Sequence, residues 1–173
     1  MLYCNFCKSL WKENTYASTG EQNFVRCPSI NCTQAELIPV DDNIAVAIYL
    51  LNKHGFTTGY CCSGHVQSKT SGYGWVDTYI KFAHKIKIPQ RIVNKYKNTI
   101  NIEHGDDEPE GCTIVTIKSG ITADITDYGK LIQHQIDIFR RCVIMLEFAC
   151  DLCRLKRKKV GKCFTYEYTN ERN

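Results

Sequence analysis

The pattern of hydrophobic residues predicts an α/β or α+β domain: a mixed sheet with packed helices, one of them long and C-terminal, preceded by a small cysteine-knuckle module. Three observations predict it. Two close cysteine pairs, Cys4 with Cys7 and Cys27 with Cys32, lie in a first stretch that has little helical periodicity. Helix-like and strand-like segments then alternate between residues 41 and 118. Finally, apolar residues recur every three or four positions from about Thr126 to Lys159. Interleaved elements of this kind suit a sheet covered by helices on one or both faces.

The first element is the module of residues 1–38, read as a knuckle, two short strands and a second knuckle. Its boundary falls near Ile38-Pro39, because proline disfavours helix at the residue before it. The main domain is then 39–173. The module's pattern is Cys4-x-x-Cys7, nineteen residues, then Cys27-x-x-x-x-Cys32. Zinc takes four soft ligands in a tetrahedron, and a tight turn lets both sulfurs of a knuckle reach one ion. Pro28, Ser29 and Asn31 favour a turn in the second pair. The spacing points to a zinc ribbon held by Cys4, Cys7, Cys27 and Cys32, with two disulfides or unrelated cysteines as the alternative. Four thiolates leave no open position, so this zinc would be structural and supply much of the module's folding energy.

The main domain opens with a helix. Asp41 or Asp42 can cap it, Ile44, Ala47, Ile48 and Leu51 form its apolar stripe, and Gly55 stops it. A strand over 56–61 runs into a tight loop, Cys62-Ser63-Gly64-His65. Residues 66–74 are polar and glycine-rich, which reads as a loop. Val76, Thr78, Ile80 and Phe82 alternate with polar residues as in a half-buried strand. Pro89 starts a short helix to about Lys97. Ile100–Ile102 reads as a brief strand, 103–111 as an acidic loop or hairpin tip, and Cys112–Lys118 as a β-branched strand. The long helix would present Leu131, Ile132, Ile136, Phe139, Val143, Leu146 and Cys150 to the core, leave His134 exposed and end at Gly161. Phe164, Tyr166 and Tyr168 suggest a short last strand.

The chain of 173 residues is 43% hydrophobic, enough for a packed core in one domain of ordinary size. No run approaches eighteen apolar residues and the N-terminus lacks a signal-peptide pattern, so neither a membrane span nor export is expected. The eleven cysteines are an odd number. With a cytoplasmic location expected, they read as metal ligands or small buried residues rather than disulfides. The net charge is +4, but residues 154–162 hold six cations and no acid. That run is either a solvated helix end or a phosphate-contacting patch built on Lys156, Arg157, Lys158 and Lys159.

Thr57-Thr58-Gly59-Tyr60-Cys61-Cys62-Ser63-Gly64-His65 is the second notable motif. Small residues after a strand let a backbone approach a ligand, and consecutive amides can form an anion-binding nest. Cys62, Ser63, Gly64 and His65 are therefore candidate ligand contacts for a phosphate, carboxylate or nucleotide, and Trp75, Tyr73 and Tyr79 are candidate stacking residues, with core positions as the alternative for these aromatics. A glycine turn with buried cysteines is the alternative. A second metal site could join Cys61 or Cys62 and His65 to a distant partner such as His84 or His104. Another could join Cys150, Cys153 and Cys163 with Cys142 or a histidine, although helical spacing makes those cysteines core candidates.

With Tyr60-Cys61-Cys62-Ser63-Gly64-His65, then Gly72, Gly74, Trp75 and His84, residues 41–84 resemble the wybutosine-synthesis tRNA methyltransferase family. That family carries Ser-x-Cys-Ser-Gly-Arg after a strand, so His65 stands at its arginine and Tyr60 at its first serine. The layout also looks like small zinc-knuckle proteins of low-GC bacteria and their phages. The resemblance implies a related α/β fold, S-adenosylmethionine as a possible cosubstrate, Ser63 and His65 as ligand-positioning groups and His84 as an acid-base group. Three readings of function follow: a zinc-containing nucleic-acid- or nucleotide-binding protein, an RNA- or nucleotide-modifying enzyme, and a phage-encoded inhibitor that binds a host protein.

Overall fold

The computed structural model describes residues 1–4, 6–11, 27, 29, 32, 37–65, 77–105, 111–120, 128–160 and 163–168. The side chains of 128, 155–160 and 163–168 lie outside that description. The elements run β1 (Leu2–Cys4), β2 (Leu10–Trp11), β3 (Leu37–Pro39), α1 (Asp42–Lys53), β4 (Thr58–Cys62), β5 (Thr78–Phe82), α2 (Gln90–Tyr96), β6 (Asn101–Gly105), β7 (Cys112–Ile117), α3 (Tyr128–Cys153), β8 (Leu155–Val160) and β9 (Cys163–Tyr168). No helix among the described residues is long and apolar enough to cross a membrane.

Strands β2, β1 and β3 form a small antiparallel sheet in that order. It ties the N-terminal module to the body. Cys4 stands opposite Leu37 and Leu2 opposite Pro39, and the Val40 N–H donates to the Met1 carbonyl at 2.8 Å. Pro39 is tolerated because β3 is an edge strand. The boundary expected at Ile38-Pro39 thus falls inside β3, and Tyr3 and Val40 join the main core.

The main sheet has the order β4-β5-β7-β6 and every pairing in it is antiparallel, so the α+β alternative holds rather than a mixed sheet. In β5 the residues Thr78, Ile80 and Phe82 are buried while Tyr79 and Lys81 are half-buried, matching the alternation in sequence. Val115 and Ile117 of β7 extend the inner face. Helices α1 and α3 share one core with that face. Phe56 meets Phe82 edge-on at 6.4 Å, and Tyr96 of α2 meets Phe148 of α3 at 5.6 Å.

Helix α1 forms as its stripe demands: Ile44, Ala47, Ile48 and Leu51 are all buried. Its C-terminus is a Schellman motif. Gly55 takes φ 87°, its N–H donates to the Asn52 carbonyl at 3.1 Å, and the Phe56 N–H donates to the Leu51 carbonyl at 2.9 Å. The Asn52 amide then reaches the Thr58 hydroxyl at 2.7 Å, which starts β4. Asp41 stands at the N-cap position but makes no side-chain cap bond. Its carboxylate is turned toward Ser63 instead.

Helix α3 corrects the sequence reading in three ways. It ends at Cys153, and Leu155–Val160, which holds most of the basic run, is a strand paired with β9. A run of lysine and arginine between Leu155 and Val160 can serve either state, and antiparallel pairing with 163–168 makes it a strand. The core face is also not the expected one. Ile132, Ile136, Phe139 and Val143 are exposed, Leu131, Leu146 and Cys150 are half-buried, and the buried face is His134, Ile138, Arg141, Cys142, Met145, Phe148, Ala149 and Leu152. Third, His134 is fully buried rather than exposed. The helix carries two apolar stripes, and the buried one includes two polar groups that each make a contact across the core, His134 to the His65 carbonyl and Arg141 to Thr78. Arg141 is paired with Asp137 at 2.9 Å and donates to the Thr78 hydroxyl at 3.1 Å. The expected start at Thr126 and stop at Gly161 lie outside the described residues.

Substitutions on the two stripes of α3 should separate cleanly. Phe148→Ala should cost about 3–5 kcal/mol, whereas Phe139→Ser should stay within about 0.5 kcal/mol of the parent in urea denaturation. A second expectation concerns acid. Burial opposes ionisation of Asp151, but hydrogen bonds from Lys95 at 2.5 Å and Tyr96 at 2.8 Å outweigh it, so its carboxyl titrates below the ordinary range. Its contribution to stability is complete above the unfolded value of about 3.9 and fades as pH falls through the lower folded value. Asp151→Asn should therefore destabilise at pH 7 and flatten the acid limb of stability against pH.

Candidate metal centre and the Cys-Cys-Ser-Gly-His loop

The sulfurs of Cys4, Cys7, Cys27 and Cys32 all lie within 4.8 Å of one another. Cys4 Sγ is 3.7 Å from Cys32 Sγ, and Cys7 Sγ is 3.5 Å from Cys27 Sγ. A disulfide would hold its sulfurs at about 2.05 Å. Four thiolates at about 2.3 Å from a zinc ion stand about 3.8 Å apart by tetrahedral geometry. The cluster therefore has the spacing of a zinc site, and zinc bound there would act as a closed structural ion.

Local structure explains why these four meet. The Cys7 N–H points at Cys4 Sγ at 3.5 Å, and the Cys4 N–H donates to the Ser9 carbonyl at 2.9 Å. Between them Lys8 takes φ 57°, the left-handed turn that closes the first knuckle. The Cys32 N–H donates to the Ser29 carbonyl at 2.9 Å, closing the second turn. Pro28 and Asn31 lie outside the described residues. Trp11 donates from Nε1 to Ser9 Oγ at 2.7 Å, and Ser9 Oγ is 2.9 Å from Cys7 Sγ. Burial pushes the Cys4 thiol up to about 12. Burial also opposes the charge of Cys7, yet hydrogen bonds from Ser9, Cys27 and Cys4 bring it down to about 7. A divalent ion would have to displace protons from such a group.

The second motif lies where β4 ends. Cys62 is buried, Ser63 is 4% exposed, and Gly64 takes φ 87°. The Ser63 N–H and hydroxyl donate to Asp41 Oδ2 at 2.9 and 3.1 Å, so the donors expected to hold an external anion hold the chain's own carboxylate. The Gly64 N–H donates to Cys62 Sγ at 3.3 Å. His65 is exposed, with Nε2 3.7 Å from Asp41 Oδ2. From beneath, the Thr78 hydroxyl donates to the Ser63 carbonyl at 2.7 Å, and the Cys142 thiol approaches the same oxygen at 3.7 Å. His134 donates from Nε2 to the His65 carbonyl at 3.2 Å, while its Nδ1 has no partner among the described residues. Burial raises the Cys62 thiol, as does the Asp41 carboxylate, against the lowering effect of the Gly64 N–H and Arg141.

The other candidates are placed elsewhere. Cys62 pairs with Tyr79 at one end of the β4–β5 ribbon, and Thr58 pairs with Phe82 at the other. His84 follows Phe82, and His104 stands opposite Thr113, the partner of Phe82. Both histidines are thus at the far end from the loop, about 13 Å or more along the strands, and neither can complete a metal site with Cys62 and His65. Asp41 occupies that position. It escaped the sequence reading because it is 22 residues from Ser63 and looked like a helix cap. His104 instead sits 3.0 Å from the Thr113 hydroxyl. Cys142 is buried and eight residues from Cys150, about 12 Å along α3, so it cannot share an ion with Cys150 and Cys153. Burial raises the Cys153 thiol to about 12. Trp75, Gly72, Gly74 and Tyr73 lie outside the described residues, as do the side chains of Lys156, Arg157, Lys158, Lys159 and Cys163.

The face of the main sheet turned away from α1 and α3 carries a groove of about 400 Å³ lined by Tyr60, Tyr79, Lys81, Thr116 and Lys118, with Asp77 and Glu103 among its other walls. Tyr60 is 69% exposed, and Lys81 Nζ stands 5.9 Å from the centre of its ring. A second hollow of about 320 Å³ shares Asn101, Thr116 and Lys118 and adds Lys97. No single sequence motif announces this face. Only the strand register brings Tyr60 opposite Lys81.

Comparison with known proteins returned no match to any family model, curated protein or solved structure.

Zinc binding to the four-cysteine cluster should release protons, seen as a calorimetric enthalpy that varies with the ionisation enthalpy of the buffer. Cys27→Ser or a strong chelator should lower the melting temperature and remove that zinc. An unchanged melting temperature in the metal-free protein would refute the structural role.

Proposed function

We propose that this chain is a zinc-stapled protein that binds single-stranded nucleic acid on the open face of its four-stranded antiparallel sheet. The observation that carries the reading is the exposed ring of Tyr60 with Lys81 beside it, in a groove that continues past Tyr79 to Lys118 and Lys97. An exposed aromatic ring on a sheet gives a base a stacking surface whatever its identity, and a neighbouring cation strengthens the stack. Two joined hollows favour an extended strand over one nucleotide. The four strands span about 14 Å from edge to edge, room for more than one base.

Charge fits the same reading. The groove's two acids are partly engaged: Asp77 accepts from the Ser119 N–H at 2.8 Å, and Glu103 accepts from the Asn101 amide at 2.5 Å. Lys156, Arg157, Lys158 and Lys159 lie in sequence on β8 and offer further cations for phosphates. The zinc cluster then has a supporting part, holding β1 and β3 against the body. The Ser63 donors are occupied by Asp41, so the sheet face carries this proposal more directly than the loop does.

Fluorescence anisotropy with a short labelled single-stranded RNA and DNA at low salt tests it. Tyr60→Ala should weaken binding about tenfold or more. Neutralising Lys156, Arg157, Lys158 and Lys159 together should flatten the dependence of affinity on salt, by about 0.7 in slope for each phosphate no longer neutralised. Absence of binding at low salt, or a Tyr60→Ala variant that binds like the parent, would overturn the proposal.

A further inference from the structure

The geometry points to a second metal site, in which Asp41, Cys62 and His65 bind a zinc-class divalent cation and leave one coordination position open to solvent. The ligand atoms of these three residues lie within 4.8 Å of one another. Asp41 Oδ2 and His65 Nε2 are already 3.7 Å apart. Oxygen and nitrogen ligands at about 2.0–2.1 Å from a tetrahedral zinc stand about 3.4 Å apart, so a small turn of the exposed His65 ring closes the site. Carboxylate, imidazole and thiolate are all zinc ligands, and three protein ligands with a free fourth position is the arrangement of reactive rather than structural zinc.

The surroundings have the features of a built site. Cys62 and His65 are separated by two residues, the same gap as Cys4 and Cys7 in the four-cysteine cluster. The Gly64 N–H points at Cys62 Sγ at 3.3 Å, as the Cys7 N–H points at Cys4 Sγ at 3.5 Å. Gly64 reaches this position through φ 87°, a conformation a side chain would strain. Asp41 is oriented by two donors from Ser63, and His65 is fixed at its carbonyl by the fully buried His134. Such outer contacts align metal ligands. The opening is on the solvent side, since the His65 side chain is 55% exposed and that of Asp41 35%.

The same three residues could be taken for a nucleophilic thiol with its base. The arrangement disfavours that. Cys62 is only 4% exposed, its sulfur out of easy reach of an external electrophile, while Asp41 and His65 face solvent. A base-activated cysteine needs its imidazole against the sulfur and the carboxylate behind the imidazole. The metal site is independent of the sheet-face reading and does not require it.

Cobalt(II) titration of the full metal-free chain, followed by thiolate-to-cobalt charge-transfer absorption, tests the inference. Absorption should grow to two equivalents in the parent. His65→Ala and Asp41→Asn should each keep the step that belongs to the four cysteines and lose the other equivalent. Saturation of the parent at one equivalent would overturn the site, as would a His65→Ala variant that titrates like the parent. Cys62→Ser should also lose the second equivalent, and if it fails to fold, the titration of His65→Ala still decides, because that side chain is exposed.

Discussion

A guanidinium buried inside this protein organises what surrounds it. Arg141 is 3% exposed, and a charge so placed must be paired or the structure does not hold. Its ion pair to Asp137 lies on its own helix, while its bond to the Thr78 hydroxyl crosses to the sheet. Thr78 in turn donates to the Ser63 carbonyl, so helix, central strand and loop form one polar chain. Two turns earlier on the same helix, His134 meets the carbonyl of His65. The helix cannot rotate to bury its other apolar stripe without stranding these groups. The loop likewise cannot leave the sheet without freeing the Thr78 hydroxyl.

Much of the fold was readable from the residues. The stripe and stop of α1, the alternation in β5 and the four-cysteine spacing each depend on neighbours within a few positions, and each stands in the structure as read. The misreadings share a different cause. On α3, Ile132, Ile136, Phe139 and Val143 make as good a stripe as Ile138, Met145 and Phe148, and only tertiary partners for His134 and Arg141 choose between them. Leu155–Val160 has no local reason to leave the helix; its pairing with Cys163–Tyr168 supplies one. Asp41 looked like a cap because a cap is what its neighbours suggest. The competing donors on Ser63 are 22 residues away and invisible to any local pattern.

The two candidate centres are joined by a very short length of chain. Cys4 stands opposite Leu37 in the small sheet, and four residues later comes Asp41. Within that span Val40 enters the main core and closes a bond back to Met1. The four-cysteine cluster thus fixes the strand from which Asp41 projects. A module that looks separable in composition is continuous with the domain through Tyr3, Val40 and Asp41.

The four-cysteine cluster also has a consequence for redox chemistry. Two sulfurs 3.5 Å apart have about 1.5 Å to travel before they can bond. Cys7 is the half-exposed member of the cluster, while Cys4, Cys27 and Cys32 are buried, so an oxidant reaches Cys7 first. A bound ion takes up the lone pairs that such a crosslink would use. With no ion bound, a two-electron oxidant such as a peroxide would take the two thiol protons and electrons and join the knuckles through a disulfide, so metal occupancy would protect the cluster from oxidation.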